Sequence, residues 1–561
     1  MTVEELKKLI AGGETLGVEF KSDQKRLKDQ DLVEAVVAMA NTDGGVLLEG
    51  VEDNGMVTGL HKTHRGCGTP TALIANRTTP SLHVTVHEAC LDGHPIFAIE
   101  VPRATNGIVG TTDGYYAHRK LKADGRPEAV PMSPFEIQQR LSSLQLIDPS
   151  EQLMPEIPLS AIDPLQRERM RAAIRNNNHA DKVLLELDDD AFDLALRLVK
   201  KVGGKPCLTL AGALFLTSAE VLREHVPTHE VAFQALQSTR VTVNEHMRLP
   251  LVEAFDALLI QFKARLEETE DMNDLFRNGV PNYDMDAFRE ALVNALVHRD
   301  FARIGTVIVK FDDAGLTISN PGGLVDGVSL SNLLTVQPTP RNPLLAEIAK
   351  RIGLAERTGR GIDRIFAGSL RYGRPRPDYS ATTSSSVVVF LADAKPDLAF
   401  LSMLNKEENE TGKPFPFDSL VVLAALRESR RLGLDDLSRL VQKPAETVRP
   451  VVEELLERGF LEKHREGHRL QYSLAAGVYH ATGKDVEYVR TSGFIEIEQE
   501  QMVLKLIDQK GFVARRDVMK LFRVSKSPAF AILARLRDKH EIVMLGNRKS
   551  ARYVRPSHSP A

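Results

Sequence analysis

The sequence predicts a multidomain protein of the α/β (α+β) class. The chain has 561 residues, which is too long for a single hydrophobic core. Strand patterns alternate with helical patterns through roughly the first 400 residues, and two helix-rich segments that each end in a hairpin pattern follow. We therefore expect four domains, at 1–145, 146–404, 405–494 and 495–561.

The composition is that of a globular protein, with 42% hydrophobic and 26% charged residues. A formal net charge of −4 argues against uniform binding of polyanions, so any basic surface must be local. The three cysteines, Cys67, Cys90 and Cys207, suit a reducing compartment better than a disulfide framework. Since neither a signal segment nor a long apolar run is present, we expect a cytoplasmic protein without a membrane partner.

The N-terminal segment begins with a strand pattern that ends at Lys21. Its alternation turns Val18 and Phe20 toward a core, whereas Glu19 and Lys21 point together to the other face. The next predicted elements are a helix at 31–40, a turn at 41–45, a strand at 46–51 and a turn at 52–55. This order predicts a compact α/β domain that ends near residue 145.

Three motifs of this segment carry a family resemblance. The Glu-Phe-Lys strand, the Ala-Asn-Thr-x-Gly-Gly turn and the Gly-Val-x-Asp end resemble the Schlafen/AlbA-type domain over residues 10–140, and residues 113–119 fit its closing strand. Nuclease members of the Schlafen group cut RNA with a divalent cation held by carboxylates. The resemblance implies a catalytic set of Glu14, Glu19, Lys21 and Asp53, with Glu14, Glu19 and Asp53 as ligands of Mg²⁺ or Mn²⁺. We also expect Arg119 to contact nucleic acid.

A structural interpretation of the same residues stays open. The Asp53-Asn54-Gly55 sequence would make a good hairpin turn without any chemistry. Glu19 and Lys21 could form an exposed ion pair of little energetic value. A zinc site is a further hypothesis, since histidines and cysteines recur in two groups, although their spacing matches no strong zinc pattern. These residues are His61, His64 and Cys67, then His87, Cys90 and His94.

A helix pattern at 288–300 is apolar almost all round except for one polar stripe. Glu290, Asn294 and His298 follow each other at a spacing of four, which places them on one helix face. A buried polar group without a partner costs roughly 1–3 kcal/mol, so something should meet this stripe. A carboxylate one turn from a carboxamide suits a nucleotide site, where the amide oxygen holds Mg²⁺ and the carboxylate orients water. A buried polar network is the alternative.

The elements after this helix favour the nucleotide hypothesis. Strand patterns at 306–311 and 316–319 are followed by an Asn-Pro-Gly-Gly turn and a glycine-rich segment at 357–361, where backbone N–H groups could approach phosphate. The order resembles the GHKL ATP-binding fold, and more closely the version in prokaryotic RecG-like and transcriptional-regulator proteins. The resemblance implies that ATP is bound by Glu290, Asn294, His298, Asn320, Gly322, Gly323, Thr358, Gly359 and Gly361.

One departure from the GHKL pattern concerns the adenine-binding aspartate, which is Asn320 here. A carboxamide accepts a hydrogen bond but carries no charge, so we expect nucleotide binding rather than efficient hydrolysis. The sequence lacks a G-x-x-x-x-G-K-[ST] motif, and strand separation of the helicase type is therefore not expected.

The C-terminal part contains an expected linker at 405–416 and two helical units at 417–474 and 500–554. Each unit has three helix patterns and a hairpin pattern, which looks like a winged helix-turn-helix domain. Residues 501–561 contain fourteen Lys or Arg and four Asp or Glu, a charge of about +10 that suits contact with a phosphate backbone. The expected contacts are Arg535, Arg537, Lys539, Arg548, Lys549 and Arg552. A solvated basic face or a protein-docking module is the alternative.

The leading functional hypothesis is a protein that contacts or cuts RNA or DNA through the Schlafen-type domain and senses ATP through the GHKL-like domain. The C-terminal domains would dock on nucleic acid or on a partner, and further copies of the chain are expected partners. A non-enzymatic, ATP-sensing transcriptional regulator is the alternative. A defence or stress effector is a third hypothesis, suggested by the resemblance to Schlafen-type nucleases.

Overall fold

The computed structural model has a mixed α/β, multidomain architecture, as the sequence predicts. It describes residues 1–64, 69–122, 125–144, 146–269, 279–355, 359–466, 469–475, 478, 496–522, 526–545 and 552–556. The chain divides into two compact units. The first unit comprises 1–266, 285–365 and 377–393, and the second comprises 267–284, 366–376 and 394–561.

A four-stranded sheet forms the centre of the N-terminal domain. Its strands lie in the order Val18–Lys21, Gly45–Glu49, His94–Val101 and Thr85–Leu91. The first two strands run parallel, since a helix provides the crossover between them, and the other neighbours are antiparallel. The helices are Val3–Gly12, Asp29–Ala40, Thr71–Arg77 and Pro134–Ser143, and two further strand pairs join Thr78–Thr79 to Gly110–Thr111 and Ala117–Leu121 to Pro127–Pro131.

Both faces of this sheet are covered. The helix Asp29–Ala40 packs its apolar residues with Leu47 and Ile99 in one core cluster. Phe20 and Leu48 belong to a second cluster on the other face, as the alternation of the first strand predicts. Because adjacent strand residues point to opposite faces, Glu19 lies on the same side as Leu47, its register partner in the next strand.

A five-stranded sheet forms the centre of the second domain of this unit. Its order is Arg240–Met247, Val231–Gln237, Val307–Asp312, Gly315–Pro321 and Ser386–Ala392, with one parallel pair in the middle. A strand pair joins Val199–Val202 to Lys205–Leu208. The α-helices are Pro164–Asn176, Asp189–Ala195, Leu210–Leu216, Ala219–His225, Leu251–Lys263, Met285–Val297, Pro343–Arg351 and Gly361–Leu370, and the 3₁₀ turns are Pro149–Glu151, Leu159–Ala161 and Lys182–Glu186. Phe288 of the striped helix stacks on Phe262, with ring centroids 3.7 Å apart.

The second unit is mainly helical. Its α-helices are Leu398–Thr411, Phe417–Glu428, Leu434–Val441, Ala445–Glu457, Glu496–Lys510, Arg515–Phe522 and Lys526–Asp538. A three-stranded sheet has the order Leu432–Gly433, Arg469–Leu474 and Leu461–Glu466, and two strand pairs join Val543–Leu545 to Arg552–Val554 and Glu268–Thr269 to Val280–Pro281. The hairpin turn that the sequence predicts at residues 546–547 lies outside the described residues.

The linker predicted at 405–416 is wrong for its first half, because the helix Leu398–Thr411 extends through it. The carboxylate of Asp397 accepts the Phe400 N–H at 3.0 Å and caps the helix. Phe400 and Leu404 are buried, whereas the charged residues that suggested a linker form the polar face of the helix. The helix ends at Gly412, whose φ of +64° is the left-handed conformation that glycine adopts readily.

None of the helices in the described residues combines the length and the apolar composition that a bilayer crossing needs. Cys90 is exposed, Cys207 is half-buried, and both are free thiols.

The buried carboxamide of Asn41 connects the turn after the first crossover helix to the later strands. Its Nδ2 donates to the carbonyl oxygens of Val109 at 2.7 Å and Ala117 at 2.9 Å, and its Oδ1 accepts the Val109 N–H at 2.9 Å. The Asn41→Ala substitution should destabilise the N-terminal domain by about 2–3 kcal/mol, since it leaves buried backbone groups without partners. Thermal unfolding and amide hydrogen exchange of the domain provide the measurement.

Asn76→Ala is the matched control, because Asn76 is exposed on the helix Thr71–Arg77. Equal thermal midpoints and equal exchange rates for the two variants would contradict the importance assigned to Asn41.

Candidate functional site

The carboxylate cluster consists of Glu14, Glu19 and Asp53, and the structure brings these three side chains into one electrostatic neighbourhood. Glu14 Oε1 accepts the backbone N–H of Phe20 at 3.0 Å. Burial raises the pKa of Glu14, the hydrogen bond from Phe20 opposes that effect, and the charges of Glu19 and Asp53 raise it further. Asp53 is exposed in the turn after the second strand. The three carboxylates are therefore close enough for the charges of Glu19 and Asp53 to act on Glu14.

Glu19 is held by two basic side chains. Lys21 Nζ lies 2.7 Å from Glu19 Oε1, and the guanidinium of Arg119 binds Glu19 Oε2. Arg119 also donates to the carbonyl oxygens of Thr15 at 2.7 Å and Val18 at 3.2 Å. Only 2% of the Arg119 side chain is exposed. The expectation that Arg119 is a surface contact for nucleic acid is therefore corrected, because its donors are used internally to position Glu19.

Among the histidines of the zinc hypothesis, His61 and His64 are neighbours, with ring centroids 6.4 Å apart, but their ring nitrogens have different partners. His61 Nδ1 contacts Thr63 Oγ1 at 2.7 Å, and His87 Nε2 lies 3.0 Å from Glu100 Oε1. Cys67 lies outside the described residues. His94 begins a strand that pairs it with Leu91, on the strand that carries Cys90. His64 instead faces two buried carboxylates, which the sequence had not connected with it.

A cavity of about 270 Å³ adjoins the striped helix Met285–Val297. This volume is close to the lower end of the roughly 300–1,000 Å³ range of small-molecule sites. Side chains from the strands Gly315–Pro321 and Ser386–Ala392 and from the helix Pro343–Arg351 complete its wall. The predicted nucleotide-binding residues that line it are Glu290, Asn294, His298, Asn320, Gly323, Gly359 and Gly361. These seven residues therefore lie around one cavity, and their role in nucleotide binding stays a prediction.

Among the described residues, one predicted residue, Gly322, does not line this wall. Gly322 has a φ of +98°, and a Cβ built on it would lie 2.7 Å from the Cβ of Asp300, so this glycine permits a close turn beside the cavity. Thr358 lies outside the described residues. Asn320 is buried, and its Nδ2 donates to the Pro321 carbonyl at 3.3 Å.

Glu290 is buried, and it packs tightly against the start of the helix Gly361–Leu370. A Cβ built on Gly361 would lie 2.0 Å from Glu290 Oε1, so no side chain fits there without displacing the carboxylate. Burial raises the pKa of the neighbouring Tyr379, and the charge of Glu290 adds to that effect. Tyr379 therefore stays a neutral phenol beside the carboxylate at neutral pH.

Two cations of the cavity were missed by the sequence analysis. Arg341 and Lys350 line it, and Arg341 also donates to the Gly323 carbonyl at 2.8 Å. Burial lowers the pKa of His298 to about 4, and the positive charges of Arg341 and Lys350 act in the same direction. A neutral imidazole with two nearby cations suits an anionic ligand. No short motif marks these residues, because only the fold brings them to the striped helix.

The basic residues predicted to contact nucleic acid in the C-terminal segment differ in their exposure and in their ion pairs. Arg535 Nε lies 3.4 Å from one oxygen of the buried Glu500, and Lys539 Nζ lies 2.5 Å from the other. Arg537 is exposed, although its guanidinium lies 3.3 Å from Asp538. The exposed Arg552 lies over the Phe512 ring, 4.5 Å from its centroid. The remaining two, Arg548 and Lys549, lie outside the described residues.

Comparison with protein families matches three segments of the chain. Residues 14–126 match the family "Schlafen, AlbA_2", and residues 306–391 match HATPase_c_4, described as "Putative ATP-dependent DNA helicase recG C-terminal". The chain therefore carries a Schlafen AlbA_2 domain and a RecG-type HATPase domain. The HATPase match begins after the helix that carries Glu290. Residues 139–232, between the two domains, match a domain of unknown function, DUF8451.

Several solved structures resemble the chain, among them the following two. The DIP2311 protein from Corynebacterium diphtheriae is 20% identical over 99% of both chains, with a TM-score of 0.49. The N-terminal domain of a "Putative ATP-dependent DNA Helicase RecG-related Protein" from Nitrosomonas europaea is 24% identical over 19% of this chain and 78% of its own, with a TM-score of 0.17. At these TM-scores neither resemblance bears on function. None of the curated proteins matches the chain.

The close approach of Gly361 to Glu290 yields a direct test of the HATPase cavity. The Gly361→Ala substitution should lower the stability of the HATPase domain by about 1–3 kcal/mol, since the added methyl group displaces a buried carboxylate. Thermal unfolding of the full chain provides the measurement. Adding Glu290→Ala to this variant should recover part of the loss, because it removes the atom that clashes.

Gly12→Ala is the control, because a Cβ on Gly12 meets nothing within 4 Å. A Gly361→Ala midpoint equal to that of the control would mean that Glu290 does not pack against this glycine.

Proposed function

We propose that the protein acts on nucleic acid, cleaving RNA or DNA at the carboxylate cluster of its Schlafen domain under the control of a nucleotide bound in its HATPase domain. The observation that carries the proposal is that Glu14, Glu19 and Asp53 lie in one part of the domain, beside the basic side chains of Lys21 and Arg119. Burial is the main cause of the raised pKa of Glu14, and the charges of Glu19 and Asp53 add to it. A bound cation would add to the compensation that Lys21 and Arg119 give the negative charge of this group. The two domain matches support the same general role in nucleic-acid chemistry.

The chemistry of the three carboxylates fits Mg²⁺ or Mn²⁺, which both prefer carboxylate oxygens, although their ligand atoms do not all lie within 4.8 Å of one another in this structure. Glu14, Glu19 and Asp53 would hold the cation. When bound, the cation supplies charge neutralisation and activation of water for attack on a phosphodiester. Arg119 would act as a positioning residue, because it fixes Glu19 from the buried side. Lys21, which is half-buried beside Glu19, would steady the scissile phosphate.

Nucleotide binding in the HATPase domain is supported by the chemistry of its cavity. Asn294 presents a carboxamide, Glu290 presents a carboxylate one turn away, and Arg341 and Lys350 supply positive charge. These groups match a triphosphate with its Mg²⁺. ATP is the nucleotide that the family suggests, and Asn320 in place of an aspartate favours sensing over rapid turnover.

Contacts between the Schlafen domain and the rim of the HATPase cavity support a regulatory link. Asp326 lies in the segment that lines the cavity with Leu324 and Val325. Its carboxylate binds the guanidinium of Arg103 and lies 3.5 Å from that of Arg140. A nucleotide that reorders this rim would therefore act on two arginines of the Schlafen domain.

The same contacts continue toward the carboxylate cluster. Arg103 lies 3.4 Å from Asp43, in the turn that follows the first crossover helix. Within that turn, Thr42 Oγ1 accepts the backbone N–H of Arg119 at 2.8 Å, and the Arg119 side chain binds Glu19. Polar contacts, together with the backbone from Leu324 to Asp326 and from Thr42 to Asp43, thus connect the rim of the cavity with Glu19.

The C-terminal helical units support a docking role in this proposal. The first has the order helix, short strand, helix, helix and hairpin, an order that supports the proposed winged helix. The second has three helices and a strand pair, with a local charge of about +10 over 501–561. Of the predicted contacts, Arg537, Lys539 and Arg552 are exposed among the described residues.

A non-enzymatic transcriptional regulator is the second candidate, and one observation favours it. Both oxygens of Glu19 are engaged by basic side chains, Lys21 and Arg119, as they would be in a purely structural ion-pair network. The two candidates differ in whether purified protein cleaves nucleic acid.

The first functional prediction concerns Glu19. The Glu19→Gln substitution should lower divalent-cation-dependent cleavage by at least about 10–100-fold, because it removes a ligand charge while keeping the side-chain volume. Cleavage of tRNA, single-stranded and duplex substrates should be followed in Mg²⁺ and Mn²⁺, with and without ATP. Glu88→Gln is the matched control, since Glu88 is an exposed glutamate of the same domain. Wild-type protein that is inert toward every substrate would favour the regulator.

The second functional prediction concerns Asp326. The Asp326→Asn substitution should leave ATP affinity within about 2-fold of wild type, because this side chain does not line the cavity. The effect of ATP on nucleic-acid binding or cleavage should be lost, since the bond to Arg103 is weakened. Asn294→Ala should instead weaken ATP binding itself by about 10-fold or more. Calorimetric titration of ATP and nucleic-acid titrations with and without ATP separate the two effects.

Asp92→Asn is the control for this charge removal, because Asp92 is exposed and pairs only with Lys7, at 3.6 Å, among the described ion pairs. An Asp326→Asn variant that responds to ATP as wild type does would exclude this route of coupling.

A further inference from the structure

Asp23, Glu49 and His64 meet at one edge of the sheet in the Schlafen domain. The strands Val18–Lys21 and Gly45–Glu49 run parallel, so their carboxyl ends lie at the same edge, with Lys21 and Glu49 as register partners. Asp23 follows the first strand by two residues, Glu49 ends the second, and His64 lies in the loop beyond. No residue of the Glu14, Glu19 and Asp53 cluster belongs to this group.

The three side chains have the geometry of a metal-ligand set. His64 Nδ1 lies 2.9 Å from Asp23 Oδ2 and 3.2 Å from Glu49 Oε1. All three candidate ligand atoms lie within 4.8 Å of one another, and no other trio of His, Cys, Asp and Glu in the described part of the chain meets that criterion. Asp23 is 0% and Glu49 is 3% exposed, whereas the His64 side chain keeps 21% of its surface.

Backbone donors already fix one of the carboxylates. Asp23 Oδ1 accepts the Leu27 N–H at 2.8 Å, and Asp23 Oδ2 accepts the His61 N–H at 2.6 Å. These bonds fix the side chain of Asp23 and orient its second oxygen toward His64. Because the Asp23 side chain is already held in place, binding of an ion to it costs little conformational entropy.

The imidazole of His64 stands between two acidic side chains. His64 Nδ1 faces the buried carboxyl groups of Asp23 and Glu49 at hydrogen-bonding distance. A buried group of this kind is compensated either by shared protons or by a bound cation. A divalent cation would compensate both carboxylates and accept the nitrogen lone pair.

We propose that Asp23, Glu49 and His64 form a binding site for a divalent transition-metal ion, with Zn²⁺ as the preferred occupant. One imidazole nitrogen and two carboxylate oxygens suit Zn²⁺, whereas Mg²⁺ and Ca²⁺ favour shells made of oxygen alone. Three protein ligands leave a further coordination position for water, which can enter beside the partly exposed ring of His64. The site is independent of the proposed nuclease cluster and would fix the loop that holds His61 and His64 to the strand ends.

The test uses untagged, full-length protein freed of metal by a chelator. Calorimetric titration with ZnCl₂, together with elemental analysis of the dialysed complex, measures affinity and stoichiometry. Co²⁺ substitution provides a spectroscopic readout, since its visible absorption reports a nitrogen and oxygen ligand field. Wild-type protein should bind one Zn²⁺ at this site and gain thermal stability.

Glu49→Gln and His64→Gln should each weaken this binding at least 10-fold and change the Co²⁺ spectrum. Glu49→Gln keeps the side-chain volume and mimics a protonated acid, so its fold should be retained and can be checked by circular dichroism. Glu19→Gln and His87→Gln should leave Zn²⁺ affinity within about 2-fold of wild type, since these residues lie in other clusters.

Two results would overturn the proposal. Absence of stoichiometric Zn²⁺ binding in wild type would mean that the three side chains share a proton instead. Binding that survives in Glu49→Gln and His64→Gln would place the metal elsewhere. Neither result depends on nuclease activity, so failure of this site and failure of the proposed function can be distinguished.

Discussion

The ion pair between Glu19 and Arg119 is the constraint on which the N-terminal domain depends. An arginine with 2% side-chain exposure cannot lose its charge, so its partners must surround it. Those partners are Glu19 and the carbonyl oxygens of Thr15 and Val18, all near the first strand. The pair therefore links the strand Ala117–Leu121, late in the domain, to the strand Val18–Lys21, early in the domain. It also orients the carboxylate of Glu19 within the cluster.

Local patterns were sufficient to predict most elements of the fold. The alternation around Val18 and Phe20 located a strand with the correct buried face, and the polar stripe from Glu290 to His298 located a helix that lines a cavity. Both features repeat with the period of a single element, so the sequence alone contains the necessary information. The predicted and observed bounds of an element differ by a few residues. The striped helix, predicted at 288–300, begins at Met285 and ends at Val297.

Long-range contacts account for what the sequence did not reveal. Arg119 looked like a surface residue of a strand, and only the fold shows that its guanidinium lies inside. Lys350 and Arg341 reach the cavity from a separate helix and loop, with no motif between them and Asn294. The helix Leu398–Thr411 was mistaken for a linker, because its charged face dominates the composition and its buried face contributes few residues.

The connection after the Schlafen domain has a consequence for dissecting the chain. Asp148 Oδ2 accepts the Leu344 N–H at 2.6 Å, and Ser150 Oγ accepts the Leu345 N–H at 3.3 Å, so this connection caps the helix that carries Lys350. A fragment that starts after residue 150 would leave the first N–H groups of that helix without these acceptors. Nucleotide affinity measured on such a fragment would therefore report a loosened cavity wall. The HATPase match begins at residue 306, but the contacts of Asp148 and Ser150 show that the folded unit begins before residue 150.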